Sequence, residues 1–153
     1  MNTTTVKTLQ TLKVKKLHPG AILPKYQTPG AACFDLHALS GGRIKPCAGG
    51  ATIDTGLAFE VPEGYVMLVY SRSGHGFKLG VRLANGVGVI DSDFRGSVMV
   101  RLINDHPCNA YDVNPGDRVA QAMLVKIDQW CLVEVDELSD TARGANGGGS
   151  TGV

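Results

Sequence analysis

The segment from Tyr70 to Gly76 combines an arginine with serines and glycines at the end of an apolar run. Arg72 offers a planar fork of N–H donors, Ser73 a hydroxyl, and Gly74 room for a ligand to approach the backbone. These groups together suit the binding of an anion. The alternative is a surface turn with a solvated arginine, and both interpretations stay open on this segment alone.

A second segment, residues 84–96, places a carboxylate after a glycine-rich apolar run. Two glycines around a short apolar run predict a hairpin whose backbone N–H and C=O groups can recognise the edge of a base. Asp91 follows, where a carboxylate can orient or deprotonate a water, or accept a hydrogen bond from a sugar hydroxyl. In the competing structural interpretation, Asp91 and Asp93 only close a turn, with Phe94 in the core.

Further polar side chains stand in otherwise apolar or glycine-rich surroundings. Asp35 is either a partnered structural carboxylate or a group that holds waters around a divalent ion. Gln121 can donate to a phosphate or pair with a neighbouring loop. Near the C-terminus, Arg143 and the pair Ser150 and Thr151 flank a glycine run, and these donors suit a polyphosphate. A solvated linker is the alternative for this tail.

The elements that must position these residues are strands. Apolar residues recur at period two, or in short β-rich runs, between Leu12 and Val135. The pattern predicts an all-β fold, a jelly-roll-like β-barrel or sandwich with a flexible Gly-rich C-terminal tail. At most one short helix begins near Ser73, capped by Ser71 or Ser73. The predicted strands are Thr52 to Val61, Tyr65 to Tyr70, Gly96 to Ile103, Arg118 to Ile127 and Trp130 to Val135.

Two proline- and glycine-containing segments, 62–64 and 114–117, predict tight turns that end hairpins. The chain is then expected to divide into a flexible N-terminal segment (1–11), one β domain (12–139) and a mobile C-terminal flap (140–153). A chain of 153 residues with 43% hydrophobic residues suggests a single domain with a real core.

Charge and hydropathy exclude several classes of function. The 15 Lys and Arg residues nearly balance 14 Asp and Glu, giving a net charge of +1, which argues against a direct nucleic-acid partner. Since the chain has no apolar run of about 18 residues and its first residues do not resemble a secretory signal, we expect no membrane partner and a cytoplasmic location.

The cysteines, histidines and single tryptophan give no sign of a metal centre. The four cysteines are widely spaced, without a pattern typical of zinc sites, so we expect free buried or half-buried thiols. The histidines show no triad or metal spacing and are interpreted as surface or packing residues. Trp130 is expected in the core or in a subunit contact.

Taken together and in this order, the segments resemble the five motifs of the homotrimeric dUTP pyrophosphatase (dUTPase) family. The resemblance extends from about Leu12 to the C-terminus, and its third and fifth motifs are the most specific. The matching segments are Ala32 to Leu36, Ser71 to Gly74, Gly88 to Gly96, Arg118 to Gln121, and Arg143 to Gly152.

The resemblance implies a jelly-roll homotrimer with three active sites at subunit interfaces. It implies hydrolysis of dUTP to dUMP and pyrophosphate with Mg²⁺, in nucleotide metabolism that limits uracil incorporation into DNA. By position, Asp91 orients and activates the water that attacks the α-phosphorus and accepts a hydrogen bond from the 3′-hydroxyl. Asp35 is the candidate water-mediated partner of the metal.

The resemblance also implies substrate contacts. Asn85 and the backbone of Gly88, Val89 and Ile90 recognise uracil in a hairpin too narrow for a 5-methyl group. Phe94 stacks under deoxyribose and leaves no room for a 2′-hydroxyl. The remaining implied contacts are Met99 in the nucleoside pocket, Arg72, Ser73, Gly74 and Gln121 at the phosphates, and the tail residues Arg143, Gly148, Ser150 and Thr151 from a neighbouring subunit.

The sequence departs from the family pattern in a few places. Gly148 stands where the family usually has a Phe that stacks over uracil, an interaction worth about 1–3 kcal/mol between bases and aromatic rings in single-strand binders. Phe94 replaces a more usual Tyr and keeps the ring. Ser71 replaces a Pro and Cys33 a Gly, and neither change removes a group that the reaction needs.

Two other functions are compatible with parts of this pattern. The first is a nucleotide-binding regulatory or interaction module with weak or no turnover, consistent with the missing aromatic lid. Retention of Asp91 argues against it, because binding alone needs no base. The second is a dCTP deaminase-like enzyme, which shares the fold but requires a catalytic Glu. Both the Arg72 segment and the Asp91 segment follow the pyrophosphatase form instead.

Overall fold

The computed structural model describes residues 10–147, and within them the chain is almost entirely β. A single short helix, α1 (Ser73–Leu79), is found in this range. The strands are β1 (Lys13–Lys16), β2 (Phe34–His37), β3 (Gly42–Ile44), β4 (Ala51–Asp54), β5 (Leu57–Glu60), β6 (Tyr65–Tyr70), β7 (Val81–Leu83), β8 (Val87–Ile90), β9 (Met99–Asn104), β10 (Tyr111–Val113) and β11 (Arg118–Lys126).

The strands form four antiparallel sheets around one apolar core. The largest has the order β2-β11-β6-β8, a second has the order β4-β9-β7, and two ribbons pair β1 with β5 and β3 with β10. Inward-facing side chains such as Leu36, Ile53 and Phe59 are at most 2% exposed. The all-β, jelly-roll-like fold is therefore confirmed. Among the strands of residues 10–147, no two that are consecutive in sequence pair with each other.

The predicted turns are present, but they do not end hairpins. Tyr65 N–H donates to the carbonyl of Pro62 at 3.1 Å, and Asp117 N–H donates to that of Asn114 at 3.0 Å. The first turn leads from β5 to β6 and the second from β10 to β11, and each pair of strands belongs to different sheets. The hairpin expected in residues 84–96 is wrong for the same reason, since β8 pairs with β6 and β7 with β9.

The strand predicted from Thr52 to Val61 is broken at Gly56. Its φ of +65° is unfavourable for other residues, and a Cβ there would lie 3.0 Å from Leu39 Cδ2. Thr55 is fully buried and donates to the carbonyl of Val98 at 2.7 Å. The chain therefore changes sheets at this point, and β4 pairs with β9 while β5 pairs with β1.

The helix begins where the sequence predicts, although its cap differs. Arg72 is the N-cap and makes no side-chain capping hydrogen bond. Ser71 Oγ instead accepts a hydrogen bond from Leu83 N–H at 2.9 Å. The serine predicted as a cap thus ties the start of α1 to β7.

Residues 128–147, which we call the C-terminal arm, are all exposed and form no strand. The prediction of a strand from Trp130 to Val135 is therefore wrong for the single subunit. Trp130 is 80% and Leu132 94% exposed, so a core position for Trp130 is also wrong. This stretch is rich in residues that favour strands, but none of the strands within residues 10–147 pairs with it.

The cysteines are free thiols, as expected. Cys33 is half-buried, whereas Cys47, Cys108 and Cys131 are exposed, so the prediction of buried or half-buried thiols is wrong for these three. Within residues 10–147, no helix has the length and apolar character needed to cross a membrane.

Candidate active site

A pocket of about 270 Å³ lies between β8, β9 and the turn that precedes β8, and we call it the β8 pocket. Its lining includes Asn85, Gly88, Ile90 and Met99. These four residues were all predicted as nucleoside contacts. Val89 lies between two lining residues and is 60% exposed, because alternate side chains of a strand point to opposite faces. Only its backbone belongs to this group.

Gly88 of β8 lies opposite Val69 of β6 in the strand pairing, and both residues line the β8 pocket. A Cβ added to Gly88 would lie 3.2 Å from Val69 Cβ and 3.8 Å from Asn85 Nδ2. Val69 is 2% exposed and packed in the core, so it has little space to move. The glycine therefore keeps the backbone of β8 accessible beside the Asn85 side chain.

Asp91 immediately follows β8 and is exposed. Its carbonyl accepts a hydrogen bond from Phe94 N–H at 3.3 Å, which closes a turn. Phe94 is 41% exposed, and its ring lies so close to Gly96 that a Cβ there would be 2.7 Å from Phe94 Cζ. The structural interpretation of this segment predicts a turn, which is present. It also predicts that Phe94 lies in the core, and this is wrong. One exposed carboxylate and one half-exposed ring thus follow β8 in the chain, and neither lines the β8 pocket.

Asp35, Arg72, His75 and Arg118 form a second group, which we call the arginine cluster. Asp35 Oδ1 lies 3.3 Å from Arg72 Nε, and Arg118 Nη1 donates to Asp35 Oδ2 at 3.3 Å. The Asp35 side chain is only 11% exposed. A partly buried carboxylate between two guanidinium groups restrains both of them. Asp35 is therefore a partnered carboxylate, and its predicted water-mediated metal role stays a prediction.

Arg72 is held on one side only. Its Nη1 donates to the carbonyl of Arg118 at 3.1 Å and lies 3.2 Å from His75 Nε2. Its Nε faces Asp35. Within residues 10–147, Nη2 makes no hydrogen bond to the protein, so its two hydrogens can reach a bound anion.

His75 and Tyr111 complete the surroundings of Arg72. The Tyr111 hydroxyl lies 3.3 Å from His75 Nε2. Burial and, next, the charge of Arg72 hold the pKa of His75 below its ordinary value. Burial raises the pKa of Tyr111. Both side chains are therefore neutral at pH 7.

Gln121 fixes the loop that carries Arg72. In the four-stranded sheet, Gln121 pairs with Asp35 on one side and Tyr70 on the other. Its Nε2 donates to the carbonyl of Ser71 at 2.9 Å. Gln121 therefore pairs with a neighbouring loop, which is one of its two predicted roles. Its other predicted role, a contact with phosphate, stays a prediction.

Ser73 and Gly74 begin α1 and are exposed. The Arg72 carbonyl accepts the N–H groups of His75 and Gly76, both at 3.1 Å. The first N–H groups of a helix have no acceptor within it. Those of Ser73 and Gly74 therefore point out of the helix beside the arginine cluster.

The two groups of residues lie at opposite ends of one pair of strands. Tyr70 is opposite Val87 in the antiparallel pairing of β6 and β8. Arg72 lies just beyond Tyr70, whereas Asp91 lies beyond the other end of β8. At about 3.3 Å per residue, the distance from Val87 to Asp91 is roughly 13 Å. A single chain therefore does not bring Asp91 and Arg72 together.

Of the predicted tail contacts, Arg143 lies within the described residues, and it is not brought to either group. Arg143 Nε donates to the carbonyl of Asn146 at 2.9 Å, a contact within the C-terminal arm itself. Gly148, Ser150 and Thr151 lie outside the described residues, as do most of the predicted flexible residues 1–11.

The chain is similar to known proteins over nearly its whole length. A family model described as dUTPase matches residues 20–152. The chain belongs to the dUTPase family. Deoxyuridine 5′-triphosphate nucleotidohydrolase from Nautilia profundicola is 48% identical over 141 residues, which are 92% of this chain and 98% of that protein. The protein of the same name from Helicobacter hepaticus is 46% identical, covering 93% of this chain and 89% of its own length.

Solved dUTPase structures share the fold of this chain. A substituted form of the Staphylococcus bacteriophage 80alpha dUTPase with dUpNHpp superposes with a TM-score of 0.85 at 28% identity, covering 95% of this chain and all of that one. A substituted dUTPase from phage phi11, whose description names a structural Mg(II) ion, gives a TM-score of 0.76 at 26% identity, covering 84% of this chain and 98% of the other.

The described residues of this dUTPase-family chain do not form a metal cage. Within residues 10–147, no three His, Cys, Asp or Glu side chains lie close enough together to hold an ion. Both Asp35 oxygens already face arginines. This donor set fits Mg²⁺ only if substrate phosphates and waters supply most of its ligands, which is the usual way that Mg²⁺ binds nucleotides.

Sequence reasoning did not find every contact around Arg72. The interpretation of His75 as a surface or packing residue misses its contact with the guanidinium. No local pattern marks Tyr111 as a site residue, and the sequence marks Arg118 only as part of a motif. These contacts depend on long-range pairing, and the sequence carries no local signal for them.

Proposed function

We propose that this chain cleaves dUTP to dUMP and pyrophosphate. The observation that supports this most directly is the β8 pocket, which gathers Asn85, Gly88, Ile90 and Met99, with Asp91 next in the chain. A pocket that can take a base, with an exposed carboxylate one residue along the chain from its lining, suits the hydrolysis of a nucleotide close to its sugar. The same substrate is named for the relatives.

In the proposed reaction, Asp91 orients a water and takes its proton. The water oxygen forms a bond to the α-phosphorus, the bond from that phosphorus to the bridging oxygen breaks, and pyrophosphate leaves. Asp91 also accepts a hydrogen bond from the 3′-hydroxyl, and the Phe94 ring lies under the deoxyribose. Because the carboxylate is exposed and forms no salt bridge within residues 10–147, it is available as a base.

The arginine cluster supplies the phosphate site. Arg72 presents its two free hydrogens, and the outward N–H groups of Ser73 and Gly74 lie beside them. Gln121 holds the loop and contributes its amide. Mg²⁺ bound to the triphosphate would neutralise part of its charge and help fix its geometry. Asp35 then acts through the arginines it restrains, and as the proposed outer partner of the metal's waters.

We infer a homotrimer whose sites are shared between subunits. The roughly 13 Å between the ends of β8 separates the two groups of residues in one chain. A neighbouring subunit can place its arginine cluster opposite the β8 pocket of the first. The exposed apolar side chains of the C-terminal arm, including Trp130 and Leu132, favour docking of the arm on another subunit. Its end, from Arg143 through Gly148, Ser150 and Thr151, then closes over the triphosphate.

Substrate selectivity tests the proposed function. Pyrophosphate release is measured with Mg²⁺ and dUTP, dTTP, dCTP or UTP at equal concentration. We expect release from dUTP alone, because in the proposed site the β8 pocket has no room for a 5-methyl group and the Phe94 ring excludes a 2′-hydroxyl. Binding of dUTP without release would favour the regulatory-module alternative, and deamination of dCTP would favour the deaminase alternative. The cytoplasmic location predicted from the sequence stays a prediction.

Gly88→Ala is expected to raise the KM for dUTP by about tenfold, with a smaller change in kcat. The new methyl group would press on Val69 and displace β8 towards the base. The matched control is Gly76→Ala in α1, where an added Cβ has no neighbour within 4 Å. Steady-state kinetics of both variants test the point. Equal KM values for the two variants would contradict the proposed role of Gly88 in binding the base.

A further inference from the structure

His75 is a buried side chain that the proposed reaction does not use. It is 9% exposed, and its Nε2 lies 3.2 Å from Arg72 Nη1 and 3.3 Å from the Tyr111 hydroxyl. The His75 and Tyr111 ring centroids are 5.3 Å apart, so the tyrosine also packs on the imidazole. The ring is therefore fixed against the arginine cluster.

The partners of His75 determine its protonation state. A guanidinium group can only donate hydrogen bonds, so His75 Nε2 must accept one from Arg72. The ring is then neutral, with its proton on Nδ1. Nδ1 is buried and has no hydrogen-bond partner among the described residues. Protonation of Nε2 would turn the only acceptor that His75 offers into a donor facing another donor.

Neutral His75 completes the restraint of Arg72. Asp35, the Arg118 carbonyl and His75 face its Nε and both hydrogens of Nη1. Only the two hydrogens of Nη2 stay free. Because a guanidinium is planar, fixing one edge of it also fixes the direction of the other edge.

We propose that neutral His75 is a positioning residue that aims Arg72 at a phosphate of the substrate, and that protonation of His75 releases this arginine. The proposal rests on the proposed phosphate contact of Arg72. It assigns to His75 a control of substrate affinity by pH that does not involve the attacking water.

The charges around the ring determine where this control acts. Arg72 and Arg118 oppose protonation of His75, whereas Asp117 and Asp35 favour it, and Tyr111 is neutral near pH 7. Burial is the largest influence, and the pKa of His75 lies below its ordinary value of 6.5. Arg72 is therefore held at pH 7 to 8, and its restraint is lost only in acid.

Two substitutions test whether His75 acts by accepting the hydrogen bond from Arg72 or only by packing against its neighbours. His75→Leu keeps a buried apolar side chain but removes the acceptor. His75→Gln keeps an acceptor oxygen and does not titrate. The dissociation constant of the imido analogue of dUTP is measured for the assembled proteins between pH 5 and pH 8, with thermal unfolding and mass as checks on folding.

At pH 8 we expect His75→Leu to weaken binding by about tenfold, which corresponds to the loss of one hydrogen bond. His75→Gln keeps an acceptor, so it should weaken binding by no more than about threefold. In acid, the wild-type protein should lose affinity more steeply than His75→Gln, because only the wild-type side chain becomes protonated. Protonation of the analogue itself affects both proteins equally. Equal affinities of wild type and His75→Leu at pH 8, or parallel pH curves for wild type and His75→Gln, would overturn the proposal.

Arg72→Lys distinguishes this proposal from the one on which it rests. If Arg72→Lys binds the analogue as tightly as wild type does, the phosphate role of Arg72 itself is wrong. If Arg72→Lys binds weakly while His75→Leu binds normally, only the positioning role of His75 is wrong. Should His75→Leu fail to fold, the pH curves of wild type and His75→Gln decide the question.

Discussion

Asp91→Asn is expected to lower kcat for dUTP hydrolysis by about 10²- to 10⁴-fold, which is the usual contribution of a general base. The amide keeps the size of the side chain and a hydrogen bond to the 3′-hydroxyl, but it does not accept the proton of the water. The dissociation constant for dUTP should therefore change by no more than about threefold. Single-turnover kinetics and calorimetric titration measure the two quantities.

The matched control for this variant is Asp93→Asn. Asp93 lies in the same turn and is exposed, so the same loss of charge occurs two residues away. Its kcat should stay close to that of the wild-type protein. Turnover by Asp91→Asn at the rate of Asp93→Asn would contradict the proposed role of Asp91.

Removal of residues 143–153 is expected to lower kcat/KM for dUTP by about 10²-fold or more, because several phosphate donors and the exclusion of water are lost together. The hydrogen bonds of its described part stay within the C-terminal arm: Arg143 donates to carbonyls of its own segment, and Gly144 N–H donates to Thr141 just before it. Thermal unfolding of the β domain should therefore stay unchanged. An unaffected rate would mean that the tail does not close over the substrate.

The rest of the C-terminal arm is expected to determine assembly instead. Leu132→Asp places a charge on a side chain that is 94% exposed in the single chain, so it should not affect folding of the subunit. If the proposed homotrimer forms by docking of the arm on a neighbour, the mass measured by light scattering should fall from that of a trimer to that of a monomer. Phe77→Asp, at a side chain 92% exposed on α1, is the control and should keep the mass of the wild-type protein. An unchanged mass for Leu132→Asp would contradict arm docking.

The sequence predicts individual strands better than it predicts their partners. Tyr65 to Tyr70 forms a strand with the predicted bounds, because its apolar run is bordered by a strong turn. The break at Gly56 is not visible, since the buried Thr55 and the close approach of Leu39 depend on the fold. Trp130 to Val135 has strand composition, but composition does not show whether a partner strand lies in the same chain.

The same distinction applies to the candidate site. Asn85, Gly88, Ile90 and Met99 were predicted as one group, and the β8 pocket brings them together. The arginine cluster could not be predicted in detail, because Asp35 meets Arg72 only through pairing of β2 with β11 and of β11 with β6. Residue types indicate the chemistry, whereas long-range register determines the partners.

The absence of paired consecutive strands in residues 10–147 has a consequence for biosynthesis. In the largest sheet, β11 joins β2 to β6, and β11 ends only at Lys126, late in the chain. A nascent chain that has emerged as far as β9 has no local hairpin to form and cannot complete this sheet. Loop closure over long separations then limits the rate, which is typical of slowly folding β proteins. Folding of this subunit must therefore follow synthesis of most of the chain rather than accompany it.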